Sequence, residues 1–423
     1  MVWIHGGAFI SGSSGTEADH PYDPTHLVAK DVIVVTLNYR IGALGFLPQA
    51  DLTAEAGQSG NYGLMDQHLA LQWIHDNIAN FNGDPDNVTL FGESAGGHSV
   101  LSQLAAASSF SPYYLFHKAI VESGAYGPTQ WSLAAGYTKY GNPFVTATGC
   151  TGDIPACLRG LTVAQILDAQ DQVALWPSPV YGTGAFLENS IATVFGSDGI
   201  PADVPVLLGC NKDEGQLFVL LDMAQGQFYT TEAAYNSAVA TALADAVALK
   251  PSLDVTGIEA YYLNKYPGDS NLYRDALSAF RTDYLFNYNT KVVWDQISDR
   301  TATYAYWFTD VDAPVLSSSW NTPFLNIGAT HSLEIQYVFG SLGERGATAD
   351  QITLSNTMIT YWTQFAKTGD PNDGAATDWQ PYQVGDEFVL KLDKPTPTAT
   401  DVDDADGFCD VHTCTNWANW LAP

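Results

Sequence analysis

The sequence predicts an α/β fold, a mainly parallel sheet with helices on both faces. Three observations lead there. Over the first 125 residues, short apolar runs at 32–37, 88–91 and 118–122 alternate with helix-compatible stretches, the pattern of strands joined by crossover helices. Residues 205–209 (PVLLG) and 304–308 (YAYWF) are continuous apolar runs of strand length, as expected of strands covered on both sides. Third, a G-x-S-x-G pentapeptide, Gly92 to Gly96, follows the run at 88–91 and leads into a helix-compatible stretch. That places it on a sharp strand-to-helix turn.

Taken in chain order, Val2-Trp3-Ile4 is a strand fragment, and His5-Gly6-Gly7-Ala8-Phe9 is a small-residue loop after it. A helix is expected over 66–80, where Leu71, Ile74 and Ile78 fall at i, i+3 and i+7. Asn82-Gly83-Asp84-Pro85 stops it. Residues 216–300 are rich in Ala, Leu, Tyr and Asp and read as a mostly helical insertion, not as an independent domain. The end, from Asp370 onward, is Pro/Thr/Asp-rich with one strand-like run at 387–392. The acidic stretch 401–407 does not put carboxylates at positions 1, 3 and 5 before its glycine, so it reads as a solvated turn and not as a calcium loop. No repeat or low-complexity tract interrupts the chain, and residues 1–423 read as one domain.

Composition narrows the function classes. There are 46 acidic and 16 basic residues, a net charge of −30. Such a surface is repelled by nucleic acids and by anionic membranes. It suits solubility, or saline and extracellular conditions. No run of 18 apolar residues is present, so stable membrane insertion is not expected. Among five cysteines, Cys150 and Cys157 bracket one short loop and Cys409 and Cys414 another. Each pair is expected to close a disulfide, which points to a secreted or periplasmic setting. A metal site at Cys409, His412 and Cys414 is the weaker alternative, since three ligands have no evident fourth. Cys210, at the end of an apolar run, is expected to be a buried small hydrophobe.

The pentapeptide carries the chemistry. Small residues around Ser94 let the backbone bend tightly and present its hydroxyl, and the following helix points its unpaired N–H groups at the same place. A serine hydroxyl is a weak nucleophile unless a histidine takes its proton and a carboxylate orients that histidine. In this arrangement the acid and then the histidine follow the serine. Only His331 and His412 lie far enough downstream. His331 follows the apolar run 304–308 and a Pro/Ser/Asn-rich loop, whereas His412 sits between two cysteines, so His331 is the candidate base. The acid is Asp213 or Glu214, just past the run at 205–209; position does not separate them. Backbone N–H groups of the loop after Ile4, with that of Ala95, would form an oxyanion hole.

These blocks resemble the type-B carboxylesterases and lipases, the cholinesterase-like family. They are residues 2–9 (VWIHGGAF), 34–47 (VVTLNYRIGALGFL), 60–97 (from GNYGLMDQ to GESAGG), 211–215 (NKDEG), 331–340 (HSLEIQYVFG) and 365–372 (FAKTGDPN). The resemblance implies an α/β-hydrolase fold and a serine carboxylic ester hydrolase that works through an acyl-enzyme. It assigns Ser94 as nucleophile, Glu214 as acid and His331 as base, with Gly7, Ala8 and Ala95 supplying oxyanion N–H groups. Ala8 stands where many members have a third glycine. The resemblance also implies that Glu93 and Ser123 tune the histidine and that Arg40 and Asp66 form a buried ion pair behind the nucleophile turn. A disulfide near Cys150 is a family feature.

No cofactor or metal is implied, and the partner is a small-molecule ester. The family also includes non-catalytic adhesion or scaffold relatives, which typically lack a triad residue. Family members usually carry strands and a disulfide loop upstream of the oxyanion motif, and this chain begins just before that motif. The lid and the choline-binding indole of relatives lie in that upstream segment. The expectation is therefore an open site for short, water-soluble esters, lined by aromatics such as Phe9 and Phe186 or Phe280.

Overall fold

The computed structural model describes residues 1–15, 21–110, 115–125, 130–173, 177–182, 184, 186–197, 200, 204–267, 271–316, 327–374, 377–404 and 407–422. Ala405 and Asp406 of the acidic stretch lie outside the described residues, as does part of the loop before His331. The chain divides into two compact units. The first comprises Met1–Thr16, Ile33–Gly124 and Gln130–Val206; the second comprises Glu17–Val32, Ala125–Thr129 and Leu207–Pro423.

In the first unit the strands are β1 (Val2–Ile4), β2 (Val35–Leu37), β3 (Thr89–Glu93) and β4 (Lys118–Glu122), in the order β4-β3-β1-β2. Every pairing among them is parallel, with Trp3 opposite Phe91 and Phe91 opposite Ile120. All residues of β1, β3 and β4 are buried, which is why they read as continuous apolar runs instead of alternating ones. A short parallel pair, β5 (Trp131–Ser132) and β6 (Val180–Tyr181), stands apart.

The helix expected over 66–80 begins earlier, at Tyr62, and runs to Asn77 before a 3₁₀ turn, Ile78–Phe81. Gly63 explains the early start. A β-carbon there would lie 2.5 Å from the Arg40 carbonyl oxygen, so glycine lets this first turn pack directly on the preceding segment. Asn82, at φ +63°, ends the run as the stop signal implied.

In the second unit the order is β10-β9-β8-β7, where β7 is Val206–Asn211, β8 Thr303–Phe308, β9 Phe388–Leu392 and β10 Thr398–Asp401. β8 and β9 are parallel, and β10 returns antiparallel to β9. The sheet is thus mostly parallel, with helices around it. Between β7 and β8 the described residues are mostly helical: Gly215–Ala224, Glu232–Ala242, Ala244–Leu249, Val255–Asn264, Leu272–Arg281, a wider π-turn at Thr282–Asn287, and Tyr288–Ile297. Their apolar faces meet in an aromatic core around Tyr262, Phe280, Tyr284 and Trp417. Phe280 is buried in this core, because the apolar stripe of its helix faces the neighbouring helices. The expectation that it lines a substrate site is corrected accordingly.

Disulfides join Cys150 to Cys157 and Cys409 to Cys414. Cys210 is fully buried; burial, and then the nearby Glu214 charge, push its thiol pKa up. No described helix is long and apolar enough to cross a membrane.

Candidate active site

β3 ends at Glu93 and the helix Ala95–Phe110 begins at Ala95, so Ser94 alone makes the turn. Its φ is +54°, a left-handed conformation that costs an ordinary residue about 1–2 kcal/mol. Two backbone hydrogen bonds hold it: the Ser94 N–H donates to the Glu122 carbonyl at 2.9 Å, and the His98 N–H to the Ser94 carbonyl at 2.8 Å. A β-carbon on Gly96 would lie 1.9 Å from the Ile4 carbonyl oxygen, and one on Gly92 2.6 Å from the same atom. The glycines are therefore what allows β1 to pass this close to the bend. The turn is largely buried: only 9% of Ser94 is exposed.

After β1, Gly7, Ala8 and Phe9 take φ values of +108°, +53° and +62° in succession. Consecutive left-handed residues store strain that the surroundings must hold. The Gly7 carbonyl accepts from the N–H groups of Ile10 and Ser11, both at 3.0 Å. The Phe9 carbonyl accepts from Gly42 at 2.6 Å, and its ring packs on Phe46 and His98. His5 stacks on Tyr39, whose hydroxyl donates to the His5 carbonyl at 2.8 Å. Burial lowers the His5 pKa. Glu93 is buried, and a β-carbon on Gly6 would lie 2.7 Å from its Oε2, so glycine is required where the loop crosses this carboxylate. Ala95 is fully buried at the helix start, and Ser123, at φ +48°, is fully buried after β4.

In the second unit, Glu214 and His331 come together. Neighbouring chain segments bring them there: β7 ends at Asn211, and a turn delivers Glu214 to the start of the helix Gly215–Ala224. His331 Nδ1 lies 2.6 Å from Glu214 Oε2, and the Asn211 N–H donates to Glu214 Oε1 at 2.8 Å. Glu214 is fully buried and His331 only 3% exposed. Asp213 faces elsewhere. Its Oδ2 accepts from the Ala329 N–H at 2.9 Å, and its own N–H donates to the Ala329 carbonyl at 3.0 Å, which ties down the loop leading to His331. Burial raises its pKa.

Sequence reasoning missed several neighbours. The Asn211 side-chain amide donates to the Thr330 carbonyl at 2.9 Å and to Glu334 Oε2 at 2.5 Å, while the Leu217 N–H donates to Thr330 Oγ1 at 2.8 Å. The rings of Phe218 and Phe286 sit 5.2 and 4.8 Å from the imidazole. Glu334 falls three residues after His331, a spacing that could have drawn attention to it. Nothing in the local sequence singles out the phenylalanines. Phe186 instead packs on His68, 5.7 Å between centroids.

The Arg40–Asp66 pair forms, with Nε–Oδ2 at 2.7 Å and Nη2–Oδ1 at 2.8 Å, but it is not buried: the two side chains are 52% and 27% exposed. His412 pairs with buried Asp283 at 2.8 Å, between the two bridged cysteines.

A left-handed serine turn after a parallel strand and a buried carboxylate–imidazole pair are each features found in serine hydrolases of the α/β class. The chain belongs to the carboxylesterase family, whose description it matches over residues 1–406. It is 34% identical over 429 residues to the bile salt-activated lipase of Bos taurus, covering 93% of this chain and 68% of the relative. Against the bile salt-activated lipase of Mus musculus the identity is 34% over 441 residues, with 95% and 68% covered. The para-nitrobenzyl esterase of Bacillus subtilis (strain 168) is 33% identical over 412 residues, with 93% and 75% covered. The protein is a carboxylesterase-type hydrolase.

Proposed function

We propose that this chain hydrolyses carboxylic esters through a Ser94–Glu214–His331 triad, with residues 1–423 acting as one hydrolase domain. Ser94 Oγ attacks the ester carbonyl as His331 Nε2 takes its proton. Glu214, on Nδ1, fixes the tautomer and stabilises the imidazolium. The backbone N–H groups of Gly7, Ala8 and Ala95 receive the developing oxyanion, usually the largest electrostatic contribution. The imidazolium then protonates the leaving alcohol, and water releases the acyl group by the same route in reverse. Glu93 and Ser123 tune the histidine. The observation that carries the reading is the buried Glu214–His331 contact at 2.6 Å in a chain that also holds Ser94 on a left-handed turn.

The substrates of this reading are short, water-soluble esters. Phe218 and Phe286, 5.2 and 4.8 Å from the imidazole, give an apolar lining that suits a small uncharged ester. Two disulfides support secretion to an oxidising compartment. Labelling with a fluorophosphonate, followed by peptide mapping, tests the nucleophile: the adduct is expected on Ser94, and its absence there ends the assignment. Rates across p-nitrophenyl esters of rising chain length test the substrate. A maximum at long chains, or a surge at an oil–water interface, overturns the short-chain reading.

A further inference from the structure

A cavity lies in the first unit, against the short helix Gly42–Phe46. Its volume is about 430 Å³, inside the range of small-molecule sites, roughly 300–1,000 Å³. Leu44, Leu47, Leu52, Phe144, Leu158 and Ile166 make its walls apolar. Two arginines line it as well. Arg40 is engaged by Asp66 through Nε and Nη2, and Arg159 by Glu55 through both Nη atoms, at 3.0 and 2.9 Å. Both arginine side chains are more than half exposed, so they belong to the opening and not to the floor. Each is already matched by a carboxylate, so the opening is polar but close to neutral. In a chain of net charge −30 such an opening does not draw an anion.

The cavity wall is also the support of the oxyanion loop. The helix Gly42–Phe46 begins with the Gly42 N–H donating to the Phe9 carbonyl at 2.6 Å, and Phe46 packs on the Phe9 ring at 4.8 Å. Its outer face is held by Gln170, whose Oε1 accepts from the Ala43 N–H at 2.9 Å. A β-carbon on Gly42 would lie 2.3 Å from that same oxygen, so the Gln170 amide sits directly against the start of the helix. Ala43 and Leu44, which line the cavity, thus belong to the same five-residue element whose Gly42 and Phe46 hold Phe9.

We propose that this cavity binds an uncharged, medium-chain aliphatic alcohol and that occupancy alters turnover through Gly42 and Phe9. The apolar walls take the chain, and the ion-paired opening hydrogen-bonds the hydroxyl without demanding charge. An alcohol of this kind is also what hydrolysis of an aliphatic ester releases. The binding stands on the cavity alone; the effect on turnover rests on the oxyanion role of the Gly7–Ala8 loop proposed above.

Calorimetry with 1-hexanol, 1-octanol and sodium octanoate tests the binding on the wild type, Ala56→Trp and Leu161→Trp. The two variants fill the cavity from different walls, and both keep the proposed catalytic residues. Saturable binding of the alcohols is expected, tightening about fourfold per added methylene. It should weaken at least tenfold in whichever variants melt like the wild type, and octanoate should bind at least tenfold more weakly than 1-octanol. Equal affinity in a folded filled variant, equal affinity for octanoate, or no saturable binding overturns the site. If both variants are misfolded, the octanoate comparison and the chain-length slope on the wild type still decide it. For the coupling, saturating 1-octanol should change kcat on p-nitrophenyl acetate at least twofold in the wild type and not in the filled variant. An unchanged wild-type kcat removes the coupling. A failure of the proposed triad would appear separately, as a Ser94→Ala protein that keeps its esterase activity while still binding 1-octanol.

Discussion

Both carboxylate oxygens of Glu214 are held, Oε2 against His331 Nδ1 at 2.6 Å and Oε1 by the Asn211 backbone N–H at 2.8 Å. The second bond comes from the end of β7, so the sheet helps to set the position of this carboxylate. A carboxylate fixed in this way holds the imidazole in the tautomer that leaves Nε2 to accept a proton.

Glu214→Gln is therefore expected to lower kcat by about 10³- to 10⁴-fold, because the amide favours the wrong tautomer and removes the compensating charge. Asp213→Asn should lower it only a few-fold, since Asp213 is bonded to the Ala329 backbone and not to His331. Steady-state kinetics on one short ester decide this. A reversed order of losses removes Glu214 as the acid.

Ser94→Ala should reduce kcat by at least about 10³-fold with little change in melting temperature. The two backbone bonds that hold the turn do not involve the hydroxyl. Hydrolysis above a few per cent of wild type would place the nucleophile elsewhere.

Because the Arg40–Asp66 pair is solvent-exposed, Asp66→Asn should destabilise by no more than about 1 kcal/mol. The asparagine oxygen can still accept from the Arg40 N–H, which donates to Asp66 at 3.0 Å in the wild type. Urea denaturation measures the difference. A loss of about 3–5 kcal/mol, the value for stranding a buried charge, would contradict the exposure.

His5 gives a pH dependence whose sign is set by burial. Its folded pKa lies below the ordinary value of 6.5, so the unfolded chain takes up its proton first as pH falls. The contribution to stability is fully present above 6.5 and is lost as pH falls through the folded value. Unfolding free energies measured from pH 7.5 downward should decline below 6.5, and His5→Phe, which keeps a ring against Tyr39, should flatten part of that decline. A slope identical in the two proteins would show that His5 is not buried neutral.

Replacing Cys409 and Cys414 together by serine should cost about 2 kcal/mol, the loop-closure value for so short a ring. The loss should reach the Asp283–His412 pair, since His412 lies between the bridged residues. Thermal melts with and without reductant check it. No change on reduction of the wild type would mean that the surrounding contacts alone hold this turn.

Much of this molecule was legible in local pattern. The strand Lys118–Glu122 falls where the apolar run placed it, β7 and β8 differ from their predicted bounds by only one or two residues, and both disulfides join the cysteines that bracket short loops. Strands buried on both faces must be continuously apolar, and short rings need close cysteines, so adjacency along the chain carries that information. What local pattern could not carry was direction and depth. Asp213 and Glu214 are neighbours with the same chemistry, and only the fold aims one at Ala329 and the other at His331. Arg40 and Asp66 meet in either reading, but whether solvent reaches them depends on what packs around them. Phe218 and Phe286 reach the imidazole, while Phe280 turns into the helical core, although all three are apolar residues in helical segments. Backbone propensity and hydrophobic period act over a few residues and are written in order along the chain. The side of an element that meets a given partner is decided by packing between segments from tens to more than a hundred residues apart, and only the tertiary structure contains that.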